Sequence, residues 1–555
     1  MSQPSVYGID LGTTYSCIAR VDEHGKAEVI QNGDGELTTP SVVYFESPDN
    51  IVVGKTAKDE ARFNPTLVKS MVKRAMGDKD AVFSYHGRDY RPQEISSFIL
   101  RRLAEDAEQI TGEPVRDVVI THPAHFGVEQ IEATRQAGVI AGLNVLSLIP
   151  EPTAAAIAYG MNEATDQTLL VYDLGGGTFD ITLISVEAGA ITVRSVDGDW
   201  ELGGRDWDGL VVEWLAGRFA DQTGVPADDL LNDPETLETL LAEAEEAKRA
   251  LTKKSSTTVT VVHGTDRARL ELSREAFDDL TRGRLESTLS LTRQMIDHAC
   301  GLGFPHIDKL LLVGGSSYMP QVQAAVDGLG IPTQISDPNL IVAKGAAIFG
   351  LKLRLEQEIK VAIAAQTGQA ETDLDPATVD AGVKQAAEAE VSRRFGLPAQ
   401  AMRALVEKTI TNVTSKGFGI VVYDPDQDRE WVQNLILKDA TVPAEVTETF
   451  GTSTDGQDRV DLRCMENKST VAGELVPLGD CTETGRTELS FGRTVERGYP
   501  VEVSFRLSAD GRLYVLGRDP RTGNAIDAEF KTDSILTREE LDAARSRALA
   551  AKVTS

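Results

Sequence analysis

The sequence predicts a two-lobed α/β domain followed by a small α-helical module and an antiparallel β-sandwich. Three observations carry that prediction. Up to about residue 350, apolar runs such as "VRDVVITHPAHF" and "IDKLLLVGGSSYMP" alternate with amphipathic helical stretches, the pattern of layered α/β domains. Within that region "VYGIDLGTT" at 6–14 and "LVYDLGGGT" at 170–178 repeat one design: an apolar strand, an Asp, Leu-Gly and a Gly/Thr turn. An internal duplication into two related lobes is the economical explanation. Beyond about residue 410 the chain turns to short β-rich runs separated by polar turns, among them "GFGIVVYD", "NLILKDATVP" and "PVEVSFRLSADGRLYVLGRD", which suit a sandwich.

A chain of 555 residues is too long for one core. Composition shifts place the divisions at residues 1–350 for the two lobes, 351–409 for the helical module, 410–533 for the sandwich and 534–555 for a short terminal helix. In the module, Asp375 and Pro376 suit an N-cap and first helical position. Val379, Val383, Ala387 and Val391 share one helical face, and Gly396 with Pro398 stops the helix. The terminal helix opens at Thr537 with Glu540 in capping-box spacing.

Charge and composition narrow the function. Acidic residues outnumber basic ones 86 to 56, a net charge of -30, and no basic run interleaves with aromatics. Nucleic acid is therefore not an expected partner. The start lacks a basic region with a following apolar stretch, and nowhere do about 18 apolar residues run together, so the expectation is a cytoplasmic protein without a membrane partner. Cys17, Cys300, Cys464 and Cys481 are scattered and read as reduced thiols rather than zinc ligands or a disulfide scaffold.

The chemistry lies in the Gly-rich turns. A strand ending in Asp10 and turning through Gly12, Thr13 and Thr14 offers successive backbone N–H groups and hydroxyls to phosphate oxygens, while the Asp can hold Mg²⁺ through water. The second copy supplies Asp173, Gly175, Gly176, Gly177, Thr178 and Asp180, and "LVGGSS" adds Gly314 and Gly315. Each turn alone reads equally as a hairpin whose glycines permit positive φ. Two facing hairpins gripping one polyphosphate are more specific, and unlike the P-loop string, which the sequence lacks.

These motifs, with "VKRAMG" (72–77), "EPTAAAIAYG" (151–160), "DLGGGTFDIT" (173–182), "LGGRDWD" (202–208), "AEEAKRALT" (244–252), "LLVGGSSYMP" (311–320) and "AKGAAIFG" (343–350), resemble the heat shock protein 70 family of chaperones, within the actin and sugar-kinase ATPase superfamily. Fainter likeness resumes at "NVTSKGFGI" and runs through "SADGRLYVLGRDPRTG", similar to the family's substrate-binding sandwich. The resemblance implies an actin-like ATPase domain using ATP/ADP and Mg²⁺. By motif, Asp10 and Asp173 would hold the hydrated metal, and Lys73 would reach the γ-phosphate and position water. Thr178 would sit beside that phosphate, and Glu151 would link nucleotide state to the interlobe region. Gly12, Thr13, Thr14, Tyr15, Gly175, Gly176, Gly177, Gly203, Gly204, Gly314, Gly315, Ser316 and Asn339 would surround the nucleotide. Glu245, Lys248, Arg249 and Thr252, spaced to share one helical face, would meet the adenosine; a solvated, salt-bridged face is the plain alternative. Tyr318 stands where the family's adenine-stacking Arg would lie.

The departures matter too. Pro123 keeps the family's relay position, but His125 replaces its Tyr and Ile131 its Arg. Ser147 and Pro150 alter the docking stretch, which speaks against a standard J-domain partner, while a nucleotide exchange factor remains an expected one. The short leucine linker is missing and the helical module stands in its place, so either the module carries the signal or the two halves are loosely tied. Ile420, Tyr423, Phe450, Ser453, Val460 and Leu462 align with a groove for extended apolar peptide, although alternation alone cannot separate groove from core. The family's long helical lid has no counterpart in the short stretch after the sandwich, implying rapid peptide exchange. The expected function is ATP hydrolysis with binding of unfolded or extended polypeptide. The alternative is an ATP-binding switch or scaffold that recruits a dedicated partner.

Overall fold

The computed structural model describes residues 5–160, 166–371, 374, 379–468, 472–529 and 534–555. Asp375 and Pro376 lie outside the described residues. The internal duplication is visible as topology. In the first lobe, strand Val6–Asp10 pairs antiparallel with Tyr15–Val21 and parallel with Asp117–His122, at the heart of a six-stranded sheet. In the second, Gln167–Leu174 pairs antiparallel with Phe179–Glu187 and parallel with Lys309–Val313, within a seven-stranded sheet. Both central strands are almost wholly buried, which explains their near-continuous apolar runs.

Two helices of small residues join the lobes. Glu151–Gly160 and Ile341–Thr367 approach so closely that a Cβ on Gly345 would stand 1.7 Å from the carbonyl oxygen of Ala154. The Ala- and Gly-rich strings of both motifs are what this crossing demands.

The helical module is not separate from the lobes. No stop signal exists at residue 350, so the helix begun at Ile341 runs on to Thr367 and ends at Gly368 with φ 72°. The boundary expected at 350/351 therefore falls inside a helix. Helices Ala381–Phe395 and Ala399–Val406 fold back beneath it, placing Ala387, Val391, Met402 and Leu405 in one core with Leu169, Val171 and Ile191 of the second lobe. Among the described residues it is Asp380 that caps the first of these helices, accepting from the Gly382 and Val383 amides.

Strand Ile410–Val413, grouped with the sandwich by sequence, adds instead to the second lobe's sheet, parallel to Ala190–Asp199, and is itself paired by Thr441–Val442. An extended segment leaving the module meets an open sheet edge, and its backbone groups are satisfied there.

The sandwich proper has a five-stranded sheet (Phe418–Asp424, Arg429–Ile436, Gln457–Asn467, Leu475–Pro477, Cys481–Val495) facing a four-stranded one (Ala444–Gly451, Pro500–Leu507, Leu513–Arg518, Ala525–Glu529). Phe418, Cys464 and Phe491 interdigitate with Val503, Phe505 and Val515 between them. The sandwich touches both lobes. Glu466 Oε2 accepts from the Val128 amide at 3.0 Å, and Arg135 pairs with Asp510 at 2.7 Å on the first lobe. On the second, Asp439 Oδ2 accepts from Ser195 Oγ at 3.1 Å. The two halves are thus tied by direct contacts. All four cysteines are free thiols, and among the described residues no helix is long and apolar enough to cross a membrane.

Candidate nucleotide site

A cavity of about 720 Å³ opens between the lobes where the two hairpins meet. Their tips touch: a Cβ on Gly176 would stand 2.1 Å from Thr14 Oγ1, and one on Gly177 would stand 2.4 Å from Thr13 Cγ2. Only glycine lets the second hairpin come this near to the threonines of the first. Asp10 and Asp173 end the two equivalent strands at the cavity floor, and Thr121 Oγ1 donates to Asp10 at 3.2 Å.

Lys73 donates to Glu151 Oε1 at 2.5 Å. It rides on a short helical turn, Val72–Ala75, entered through Met71 in the left-handed region (φ 57°), unusual for a residue with a side chain. Burial, reinforced by the Glu151 charge, raises the Asp10 carboxyl to about 7 despite Lys73 nearby. Burial and neighbouring carboxylates raise Asp173 well above the usual range, and burial raises Glu151. A floor of crowded carboxylates with one ammonium is short of positive charge. That shortage, together with an oxygen-only donor set, fits a hydrated Mg²⁺ whose shell is completed by water and phosphate oxygens.

The opposite wall comes from helix Pro234–Lys253, whose Glu245, Lys248, Arg249 and Thr252 all line the cavity. Glu245 is held by Lys58 at 2.5 Å and by the Tyr15 hydroxyl at 2.9 Å, while Arg249 lies over the Tyr15 ring, 4.9 Å from its centroid. Burial alone would raise Glu245, but Lys58 and its basic neighbours bring it down to about 2. Lys248 is occupied by Asp208 at 2.7 Å and by the Gly204 carbonyl at 2.8 Å. Gly314, Gly315, Ser316, Tyr318 and Asn339 also line the cavity, with the Tyr318 ring partly exposed.

Of the expected nucleotide residues, Asp10, Gly12, Thr13, Thr14, Tyr15, Lys73, Glu151, Asp173, Gly175, Gly176 and Thr178 line the cavity. Gly177, Gly203 and Gly204 stand behind the wall, where the Gly204 amide donates to the Gly175 carbonyl and braces the loop. Sequence reasoning missed Lys58, Arg74, Arg205 and Asp208. Arg74 grips the Gly177 carbonyl and Asp206, joining the lobes beside the hairpin. Lys58 sits in an ordinary polar helix, and no local signal distinguishes it from a solvated lysine. Behind Glu151, His125 Nδ1 and Asp180 Oδ1 are 2.8 Å apart, both side chains buried, with His125 Nε2 and Asp180 Oδ2 lacking hydrogen-bond partners. Burial lowers the adjacent His122 to about 4.

The six aligned peptide residues do not gather in one open slot. Ile420 and Leu462 are buried in the core between the sheets, Phe450 and Val460 pack partly against that core, and Tyr423 and Ser453 are exposed. Strand alternation turns Ile420 and Leu462 inward, towards the facing sheet. Helix Arg538–Ala550, which follows the sandwich, packs on the first lobe and not over the sandwich.

Comparison with known proteins accords with this architecture. The pattern that defines the family described as Hsp70 protein matches residues 6–362. Two curated relatives, each named chaperone protein DnaK and drawn from two strains of Halobacterium salinarum, are 34% identical over 550 residues, covering 98% of this chain and 77% of each relative. With paired lobes, hairpins and a sandwich matched along nearly its whole length, the chain belongs to the Hsp70 family, whose members are ATP-dependent chaperones.

Proposed function

We propose that the chain hydrolyses ATP between its lobes and that its sandwich binds exposed, extended apolar segments of other polypeptides. The observation that carries the first half is the buried Lys73–Glu151 pair beside Asp10 and Asp173, at the place where two phosphate-cradling hairpins touch.

Phosphoryl transfer to water needs positioning and charge neutralisation more than covalent chemistry. In this reading the turns at Gly12–Thr14 and Gly175–Gly177 offer backbone N–H groups to the phosphates. Asp10 and Asp173 would hold a hydrated Mg²⁺, which when bound would supply charge neutralisation at the phosphate oxygens. Glu151 fixes the Lys73 ammonium, which approaches the γ-phosphate and orients water, and Thr178 adds a hydroxyl beside it. Tyr318 offers a face to the base, and Lys58, Glu245 and Tyr15 latch the two lobes over the nucleotide. Single-turnover hydrolysis tests the assignment: Lys73→Ala abolishes most cleavage while retaining ATP binding, whereas a Lys73→Ala chain that cleaves at the wild-type rate refutes it.

The sandwich reading rests on family membership and on the placement of helix Arg538–Ala550 against the first lobe. With helix Arg538–Ala550 seated on the first lobe, bound peptide exchanges rapidly in this reading. A second reading is favoured by the burial of Ile420 and Leu462: an ATP-binding switch that recruits a dedicated folded partner. A fluorescent extended apolar peptide separates the two. Binding with fast release supports the chaperone reading, and absence of binding under both nucleotides supports the switch.

A further inference from the structure

Among the described residues, the cations lining the nucleotide cavity are Lys58, Lys73, Arg205, Lys248, Arg249 and Lys253. Four of them are engaged by carboxylates: Lys58 and Arg249 by Glu245, Lys73 by Glu151 and Lys248 by Asp208. Lys253 is exposed on the last turn of its helix. Arg205 differs from all of these. It is half-buried in the cavity wall, and among the described residues its guanidinium has neither an ion pair nor a hydrogen bond. Its place is also unfavourable to the helix that carries it. Arg205 is the second residue of helix Gly204–Thr223, where the partial positive charge of the helix end repels a cation. The neighbouring acids do not compensate, because Asp206 is committed to Arg74 and Asp208 to Lys248.

We infer that Arg205 is a specificity-determining residue of the cleft, whose guanidinium meets the terminal phosphate of ATP and so makes the cleft prefer ATP to ADP. The inference rests on the proposed placement of the phosphates along the turns at Gly12–Thr14 and Gly175–Gly177. Two observations put Arg205 at the phosphate end. Its amide donates to the Gly176 carbonyl at 2.8 Å, which fixes the residue to the hairpin tip that touches Thr14. Its charge also reaches Glu238, whose carboxyl is raised by burial and drawn down by Arg205. Glu238 lies two turns before Glu245 on helix Pro234–Lys253, about 10 Å along the axis from the residues assigned to adenosine. A cation on that side meets the part of the nucleotide farthest from the base. A planar guanidinium donates paired hydrogen bonds to a phosphate, and the added negative charge offsets the repulsion at the helix end. ADP lacks that group and leaves Arg205 without its partner.

Calorimetric titration of the full chain with ADP and with the non-hydrolysable β,γ-imido analogue of ATP, each with Mg²⁺, tests it. Arg205→Ala keeps the backbone bond to Gly176 and removes only the guanidinium. The expected result is that affinity for the analogue falls at least about tenfold while affinity for ADP changes less than about twofold. Arg205→Lys, which keeps the charge without the planar fork, falls between Arg205→Ala and wild type. Retained ADP binding certifies that each variant is folded, and without nucleotide the Tm of Arg205→Ala is at or above the wild-type value, because a cation has left the first turn of the helix. A merely structural role lowers both affinities together. That outcome overturns the inference, and so does a ratio of affinities that Arg205→Ala leaves unchanged. A wild-type chain that binds neither nucleotide removes the proposed function and this inference together. Undiminished cleavage by Lys73→Ala, in contrast, refutes the hydrolysis assignment and leaves Arg205 standing, because binding alone is read here.

Discussion

Lys73 Nζ lies 2.5 Å from Glu151 Oε1, and both side chains are almost wholly inside the protein. The pair is not balanced, because Asp10 and Asp173 crowd the same floor. Removing Lys73 leaves several buried carboxylates without a cation, whereas removing the Glu151 charge leaves Lys73 still facing two acids. Breaking a buried pair costs about 3–5 kcal/mol. Lys73→Ala falls in that range in urea unfolding without ligand, and Glu151→Gln costs distinctly less; equal losses contradict the charge argument.

Gly345 shows what the lobe crossing requires. A methyl there has no space against the Ala154 carbonyl, so Gly345→Ala costs about 3 kcal/mol or more. Gly217 lies in a helix with nothing near its missing Cβ, and Gly217→Ala gains roughly 0.5–1 kcal/mol. Thermal unfolding of the two variants gives shifts of opposite sign.

The latch at Glu245 carries a pH signature. Its carboxyl is depressed from the ordinary 4.5 to about 2, chiefly by Lys58 acting against burial. A depressed acid contributes stability that is full above its unfolded value and is lost as the pH falls towards its folded one. The Tm difference between wild type and Glu245→Gln is therefore constant above about pH 5 and shrinks below it. A difference that grows on acidification is the contrary result.

In the proposed reading, Tyr318, which lines the cavity, offers adenine a ring where the family's motif has a cation. Stacking of a base on an aromatic side chain is worth about 1–3 kcal/mol. Tyr318→Ala weakens ATP binding about tenfold, roughly 1.4 kcal/mol, and leaves turnover at saturating ATP unchanged. Calorimetric titration beside steady-state kinetics distinguishes this from a catalytic effect.

The cavity wall was legible because its signals are local. The Asp-Leu-Gly turns are strand ends with consecutive small residues, and the cavity-lining face of helix Pro234–Lys253 shows in three- and four-residue spacing. What was not legible is tertiary. Lys58 lines the cavity only because its helix faces Glu245 across the lobes. Strand Ile410–Val413 looks like the start of the sandwich, since extended backbone carries no mark of which sheet edge it will join. Ile420 and Leu462 are apolar strand residues, and apolar strands read alike whether they line a groove or fill a core. Nor does a short amphipathic helix announce that it will seat on another domain.

On the function proposed above, one chain joins an ATP-hydrolysing cleft to a peptide-binding sandwich. Steady-state ATP turnover of the full chain with and without an extended apolar peptide tests it most directly, with Lys73→Ala and Val460→Phe as controls. The expected result is stimulation by peptide that disappears in Lys73→Ala and is reduced in Val460→Phe. Turnover that ignores peptide in the wild-type chain contradicts it and leaves the nucleotide switch.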